Sequence, residues 1–497
     1  MAPDLSLGID LGTTSVKVLV VDSGGRVVGR ASAGYPLHTP RPGWVEQDPE
    51  DWWQATCAAL REAARQVDTA RIRGLSLSGQ LNGGLFLDDA LQPLRPVPIW
   101  LDHRAAELCR RIDDGVAGDC VLQSARQRLT PVNTLAKILW VRDHEPAVYR
   151  KTRVVLLPKD WLRLRLSGST GTDLTDASVT AALDLKEKRW SSEVLSAVGV
   201  REDLFPALSP STEVVGAVTE AAAASTGLPA GVPVCAGGGD MPCLAVGSGV
   251  VRPGIVSLGI GTAAHATAYA PSLETASGPA TEGLWPMCHP DGRGHAWLGC
   301  SFTGGESLRW LTGILGAGFE GLLAEAEQAE AGSRGLVFAP WLQGRATPGP
   351  DPAARGAFLG LDLRHGRGHM VRAVMEGVAY DLRECLECFR CAGLPDHEIR
   401  VGEGGLRSVL WRQIVADVVG KPVRVLAEDD PSALGAALIA AVGTGLFEDF
   451  EEACGAADGR AQTVEPRDEA RAAYEEGFVE YQQIYPALRD WHGGRGP

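Results

Sequence analysis

Residues 5–21 read Leu5-Ser6-Leu7-Gly8-Ile9-Asp10-Leu11-Gly12-Thr13-Thr14-Ser15-Val16-Lys17-Val18-Leu19-Val20-Val21. Two β-rich runs, Leu5–Asp10 and Val16–Val21, flank the polar turn Gly12-Thr13-Thr14-Ser15. A second turn, Ser23-Gly24-Gly25, leads to Val27-Val28, so the segment predicts a meander of strands joined by tight turns. The pattern returns far along the chain. Ile255–Leu258 meets Gly259-Ile260-Gly261-Thr262, and Ala263–Ala268 follows as a further strand. A duplicated strand, Gly-Thr turn and strand is a physical motif, because each turn can aim backbone N–H groups and Thr hydroxyls at a phosphate. Two unrelated hairpins are the alternative reading.

Outward from the first turn, Trp52 to Val67 carries apolar residues at helical spacing, with Pro49 and Asp51 near its start. Ile72–Leu77 reads as a strand, Ser78–Gly84 as a loop and Leu85–Leu87 as another strand. The later half predicts a helix at His369–Arg390, a strand near Ile399–Val401, a helix at Val409–Val419, a strand at Val423–Val425 and a helix at Ala433–Val442. Glu465 to Leu488 reads as a closing helix. Alternation of strands and helices implies an α/β class.

The 497 residues are 45% hydrophobic and 22% charged, an ordinary globular composition that suggests several domains. The net charge of −15 argues against a nucleic-acid or anionic-membrane surface. It leaves room for a local anion pocket, which backbone N–H groups can form. No run reaches the roughly 18 apolar residues of a membrane span. The longest, Ala433 to Phe447, is rich in Gly and Ala and reads as a packed helix. Met1-Ala2-Pro3-Asp4 lacks the basic start of a signal peptide, so a cytoplasmic location with the eleven cysteines reduced is the expectation.

Cys385, Cys388 and Cys391 form C-x-x-C-x-x-C, but a fourth thiolate is missing and position 395 is Pro. Core or surface thiols are the expected reading. No H-E-x-x-H, Walker lysine loop or G-x-S-x-G elbow is present. Gly237-Gly238-Gly239-Asp240 is more informative, since it follows the strand Val232–Ala236 and Met241-Pro242 then opens a helix. Asp240 thus stands at the carboxyl end of a strand, where open α/β sheets bind ligands, and at a helix start that favours a carboxylate. A plain N-cap is the alternative. Gly402-Glu403-Gly404-Gly405 follows another strand and can lie flat against a nucleotide. Asp102 and Arg104, after the strand Val97–Ile99, form either an ion pair or a polar substrate contact.

Several segments together resemble the FGGY carbohydrate kinases, from about Gly8 to about residue 485. Gly356–Glu376 fits the family's second signature throughout, and Thr134–His144 resembles the first, departing at Val132. Trp44–Trp53, Leu156–Leu164, Pro340–Pro348 and Gly238-Gly239-Asp240 look like segments of members acting on D-xylulose. Those members usually carry Gln-Met-His where this chain has Gln80-Leu81-Asn82, and Trp-Asn-Asp where it has Trp100-Leu101-Asp102. Their adenine-side loop usually reads Gly-Gly-Gly, which Glu403 interrupts.

The resemblance implies an actin-like (ribonuclease H-like) two-domain α/β sugar-kinase fold with a central interdomain cleft, divided as 1–251 and 252–497. It implies ATP and Mg²⁺, a small-molecule sugar, no nucleic-acid or membrane partner, and leaves a homodimer open. The implied reaction phosphorylates a ketopentose hydroxyl, D-xylulose giving D-xylulose 5-phosphate. Ribulose, erythritol or glycerol as acceptor is the alternative, then a non-catalytic sugar- or nucleotide-binding regulator or an actin-like ATPase. Asp240 is the implied base, and Asp10 the Mg²⁺ residue through water. Gln80, Leu81, Asn82, Asp102 and Asp240 are the implied sugar residues. Gly12, Thr13, Thr14, Lys17, Gly261, Thr262, Gly305, Gly404, Gly405 and Ser408 are the implied ATP residues.

Overall fold

The computed structural model describes residues 3–316, 318–459 and 462–493. Leu5–Leu11 and Ser15–Asp22 form the expected antiparallel hairpin, with Asp10 opposite Lys17. Val27–Gly34 extends it on the outer side. Ile72–Gly79 joins Leu5–Leu11 in parallel, which requires a crossover. Helix Pro49–Ala64 supplies one. It begins at Asp48, whose side chain accepts from the Glu50 N–H at 2.8 Å, and it buries Trp52, Trp53, Cys57 and Leu60. Pro233–Cys235 pairs in parallel with Ile72–Gly79, and Val214–Ala217 closes the sheet antiparallel to it.

The second half repeats this pattern strand for strand. Ile255–Ile260 and Ala264–Ala270 form an antiparallel hairpin. Glu398–Gly402 lies parallel to Ile255–Ile260, Val423–Val425 parallel to Glu398–Gly402, and Gln462–Val464 antiparallel to Val423–Val425. The two hairpins are therefore equivalent elements of a duplicated mixed sheet, as an actin-like fold requires.

The chain divides into two compact units. One comprises Met1–Val251, Pro286–Ala296 and Asp430–Gly459, and the other Arg252–Trp285, Trp297–Asp429 and Arg460–Pro497. A contiguous second domain at 252–497 therefore needs correction, because Asp430–Gly459 returns to the first unit. The reason is burial. Helix Pro431–Gly443 is apolar almost throughout and packs on Leu5–Leu11 and Ile72–Gly79. It shares a core with Leu19, Val21, Cys235, Cys243 and Val246. A Cβ on Gly435 would stand 1.8 Å from the Cys243 carbonyl oxygen, so glycine is what lets this helix approach Asp240–Gly247.

In the second unit the long helix Arg367–Cys391 buries Val371, Met375, Val378, Leu382, Leu386 and Phe389. Its Cys385 and Cys388 are buried and Cys391 is exposed; burial pushes the Cys388 thiol up to about 12. Among the described residues no helix is long and apolar enough to cross a membrane.

Candidate active site

In the first unit, Asp10, Ser78 and Gly238 stand in register on three neighbouring strands, since Asp10 and Gly238 both pair with Ser78. Ser78 Oγ donates to Asp10 Oδ1 at 2.7 Å. Two residues beyond Gly238, Asp240 begins the helix Asp240–Gly247. Gly239, which has no side chain, occupies the N-cap, so Asp240 is the first helical residue and not the cap. Asp240 Oδ1 accepts from the Met241 N–H at 2.8 Å, and Ser432 Oγ donates to the Asp240 carbonyl at 3.2 Å. Asp10 and Asp240 therefore leave the sheet at the edge where such sheets hold ligands.

Gln80 follows directly from the same central strand, its N–H donating to the Leu11 carbonyl at 2.7 Å. Leu81 packs on Gly239, where an added Cβ would meet Leu81 Cδ2 at 2.2 Å. Asn82 has φ 65°, a left-handed conformation that Asn tolerates better than most residues. Gln80 Oε1 and Asn82 Oδ1 are both buried and have no hydrogen-bond partner among the described residues. An unsatisfied buried acceptor costs about 1–3 kcal/mol. Hydroxyl donors from a bound polyol would remove that cost. Helix Thr134–His144 supports the loop, with Thr134 Oγ1 donating to the Gly83 carbonyl at 3.1 Å. Its Lys137 donates to the Val132 carbonyl at 2.6 Å, and burial pushes that amine down to about 7.

Asp102 takes the ion-pair alternative. Its Oδ1 accepts from Arg104 Nε at 2.8 Å, and its Oδ2 from Arg104 Nη2 and the Val45 N–H, each at 2.7 Å. It is 1% exposed, and both oxygens are engaged by Arg104 and the Trp44–Glu46 segment. The neighbouring Trp100 reaches the site, its Nε1 donating to Thr13 Oγ1 at 3.0 Å.

The first Gly-Thr turn is held from all sides. The Gly12 N–H donates to the Ser15 carbonyl at 3.0 Å, and Tyr35 Oη donates to the Gly12 carbonyl. Gln47 Nε2 donates to the Thr13 carbonyl at 2.6 Å, leaving Thr14 exposed at the tip. Lys17, opposite Asp10 near the turn, pairs with Asp430. Ser78, Gln47, Tyr35 and Trp100 were not singled out from sequence. Gln47 lies in the Trp44–Trp53 segment that carries the family resemblance, which is the one signal pointing to it.

The second turn belongs to the other unit. The Gly304 N–H donates to the Thr262 carbonyl and the Gly305 N–H to the Gly261 carbonyl, each at 2.8 Å, where helix Gly305–Leu315 begins. A Cβ on Gly405 would come within 2.8 Å of the Ile260 carbonyl oxygen, so the glycine loop lies against this turn. Gly404 and Gly405 form a short 3₁₀ turn, and Ser408 caps helix Val409–Val419 through the Trp411 N–H at 3.3 Å. Thr262, like Thr14, is exposed at its tip. Glu403 has φ 71°, and its Oε2 lies 3.0 Å from His265 Nε2, folded back over Gly259 and Gly261.

Mg²⁺ takes one or two carboxylates, completes its shell with water and substrate phosphates, and so needs no dedicated protein cage. The buried Asp10 carboxylate beside a Gly-Thr turn fits that donor set, for a cation carried by a nucleotide.

Residues 5–247 match the N-terminal domain of the FGGY family of carbohydrate kinases, and residues 270–444 its C-terminal domain. The xylulose kinase of Bacillus subtilis (strain 168) is 36% identical over 488 residues, covering 97% of this chain and 97% of that protein. The xylulose kinase of Escherichia coli (strain K12) is 35% identical over 438 residues, covering 88% of this chain and 89% of that one. The crystal structure of a xyloylose kinase from Brucella ovis superposes with a TM-score of 0.90 at 32% identity, covering 98% of this chain and 100% of that chain. Both domains of one family are thus matched in order along nearly the whole sequence, and the chain belongs to the FGGY family of carbohydrate kinases.

Proposed function

We propose that the protein transfers the γ-phosphoryl group of ATP to D-xylulose, giving D-xylulose 5-phosphate. Sugar kinases of this family use ATP, and the two relatives described above, 36% and 35% identical and matched over most of their length, are xylulose kinases. The observation that carries the reading is Asp240 at a strand end whose neighbour continues into Gln80 and Asn82, two buried amides with unpartnered acceptors. That pairing provides a proton acceptor beside a surface demanding hydroxyl donors.

Phosphoryl transfer has a loose transition state, so positioning and charge neutralisation supply most of the rate. Asp240 accepts the proton of the attacking hydroxyl. Gln80 and Asn82 accept from neighbouring hydroxyls and orient the sugar, with Leu81 as its apolar contact. Thr13 and Thr14 present backbone N–H groups and hydroxyls that suit phosphate oxygens, and the Gly261-Thr262 turn has the same chemistry. Gly305, Gly404, Gly405 and Ser408 line the nucleotide site. Asp10 would hold the nucleotide's Mg²⁺, which when bound would supply charge neutralisation on the phosphates.

An ADP-release assay across D-xylulose, ribulose, erythritol and glycerol tests this. D-Xylulose is expected to give the highest kcat/KM. A tenfold preference for glycerol, about 1.4 kcal/mol in transition-state stabilisation, would reject the sugar assignment while leaving the kinase reading in place.

A further inference from the structure

The segment that delivers Asp240 is three consecutive glycines, and Gly237 has φ 83°. Glycine leaves a backbone unusually free, so this stretch by itself cannot hold a carboxylate in one place. Its backbone pairs with Ser78 and Gly79 and the Gly237 N–H donates to the Ser211 carbonyl at 3.0 Å, and two buried side chains restrain it further. Arg163 Nη1 donates to the carbonyl of Ala236 at 3.1 Å. At the other end, the Gly239 N–H donates to Thr175 Oγ1 at 3.0 Å, one residue before Asp240.

Both side-chain restraints come from one charged cluster. Thr175 Oγ1 donates in turn to Asp173 Oδ1 at 2.5 Å. Asp173 Oδ2 and Asp160 Oδ1 each lie 2.7 Å from Lys159 Nζ, and Asp176 Oδ2 lies 3.3 Å from it. Arg163 Nη2 stands 3.2 Å from Asp160 Oδ1. All five charged side chains are at most 1% exposed. Three carboxylates against two cations in a dry interior form a poor device for stability, since desolvation offsets much of the attraction. What such a cluster does provide is fixed geometry. A buried, hydrogen-bonded array leaves its members one arrangement, and here that arrangement ends on the backbone preceding the base.

We propose that Thr175, fixed by Asp173 and the Lys159 cluster, is a positioning residue that sets the reach of Asp240 toward the sugar hydroxyl. The inference rests on the reading of Asp240 as the base. Thr175 is fully buried and acts through the Gly239 N–H.

Thr175→Val keeps the shape and removes both the acceptor for Gly239 and the donor to Asp173. Steady-state kinetics with D-xylulose and ATP should show kcat down at least tenfold with both KM values within about twofold. Thr175→Ser, which restores the hydroxyl, should return kcat to within about threefold. In an Asp240→Asn background Thr175→Val should cause no further loss, because the group it positions is already gone. If Thr175→Val does not fold, Thr175→Ala carries the same three expectations. A normal kcat in the Val or Ala variant, no rescue by Ser, or a full additional loss in the Asp240→Asn background would overturn the proposal. Failure of the base assignment is separable, since it would show as near-normal turnover in Asp240→Asn alone.

Discussion

Gln47 and Thr13 are joined by a hydrogen bond from the Gln47 Nε2 amide to the Thr13 carbonyl, at 2.6 Å. The other end of the same amide accepts from Gln80 Nε2 at 2.8 Å and from Trp52 Nε1 at 3.1 Å. One fully buried side chain thus supports both the first Gly-Thr turn and the start of the Gln80–Asn82 loop. Gln47→Leu leaves three groups without this partner, each costing about 1–3 kcal/mol where it stays buried. Urea denaturation should show a lower midpoint at unchanged m-value, with a loss of at least about 2 kcal/mol. KM for ATP and for sugar should rise together. A rise in one alone would show that Gln47 does not serve both sites.

Asp240→Asn preserves shape and the Met241 N–H contact but cannot accept a proton. kcat should fall by about 10²–10⁴ while nucleotide affinity, measured by calorimetry, survives. Near-normal turnover on the best sugar would remove Asp240 from the role.

Gly261 faces Glu403, whose Oε2 would lie 3.3 Å from a Cβ added there. Gly261→Val brings two further methyl groups into that space, displacing either the turn or the carboxylate paired with His265. KM for ATP should rise at least tenfold and KM for sugar by less than threefold. A defect confined to the sugar would mean that this turn does not hold nucleotide phosphate.

The parts of the molecule legible in sequence were those written in local chemistry. Gly-Thr turns between β-rich runs announced both hairpins, and the strand-to-helix position of Asp240 followed from Gly237–Gly239 and Pro242. Helix Val409–Val419 and strand Val423–Val425 form over the residues their patterns mark. The remainder is set by tertiary packing. The apolar face of Pro431–Gly443 says that the helix is buried, not that it crosses back to the first hairpin. Asp102 beside Arg104 fits an ion pair or a ligand contact until Val45 and Glu46 are seen around it. The roles of Gln47 toward Gln80 and of Thr175 toward Gly239 have no local pattern, because those partners lie 33 and 64 residues away.

Glu384 offers a pH test of the second unit. It is buried beside Arg345, whose Nη2 lies 3.2 Å from its Oε2. Burial raises its carboxyl from 4.5 to about 7, with Arg345 only partly opposing. Between those values the folded chain holds a proton that the unfolded chain has released, so stability falls as pH rises through the window. Glu384→Gln, which cannot ionise, should gain on the wild type from about pH 4.5 to about pH 7, by on the order of 3 kcal/mol, and run parallel to it outside that window. Parallel stability curves across that window would show that Glu384 titrates normally.

Asn82, in the proposed sugar site, stands where the family members that act on D-xylulose usually carry His. Its short amide, held at φ 65° with Oδ1 unpartnered, offers both a donor and an acceptor close to the backbone. A His at this position would reach further and would titrate near neutral pH. The backbone should accept the change, because His is also among the residues enriched in the left-handed region. If D-xylulose is the native acceptor, Asn82 is matched to it, and Asn82→His should leave its kcat/KM unchanged or lower it by up to about tenfold. The alternative is that Asn82 was selected for a different ketose or a four-carbon polyol. In that case restoring His would raise kcat/KM for D-xylulose and lower it for the true substrate. A tenfold gain with D-xylulose in the His variant, measured beside ribulose and erythritol, would therefore reject D-xylulose as the native acceptor.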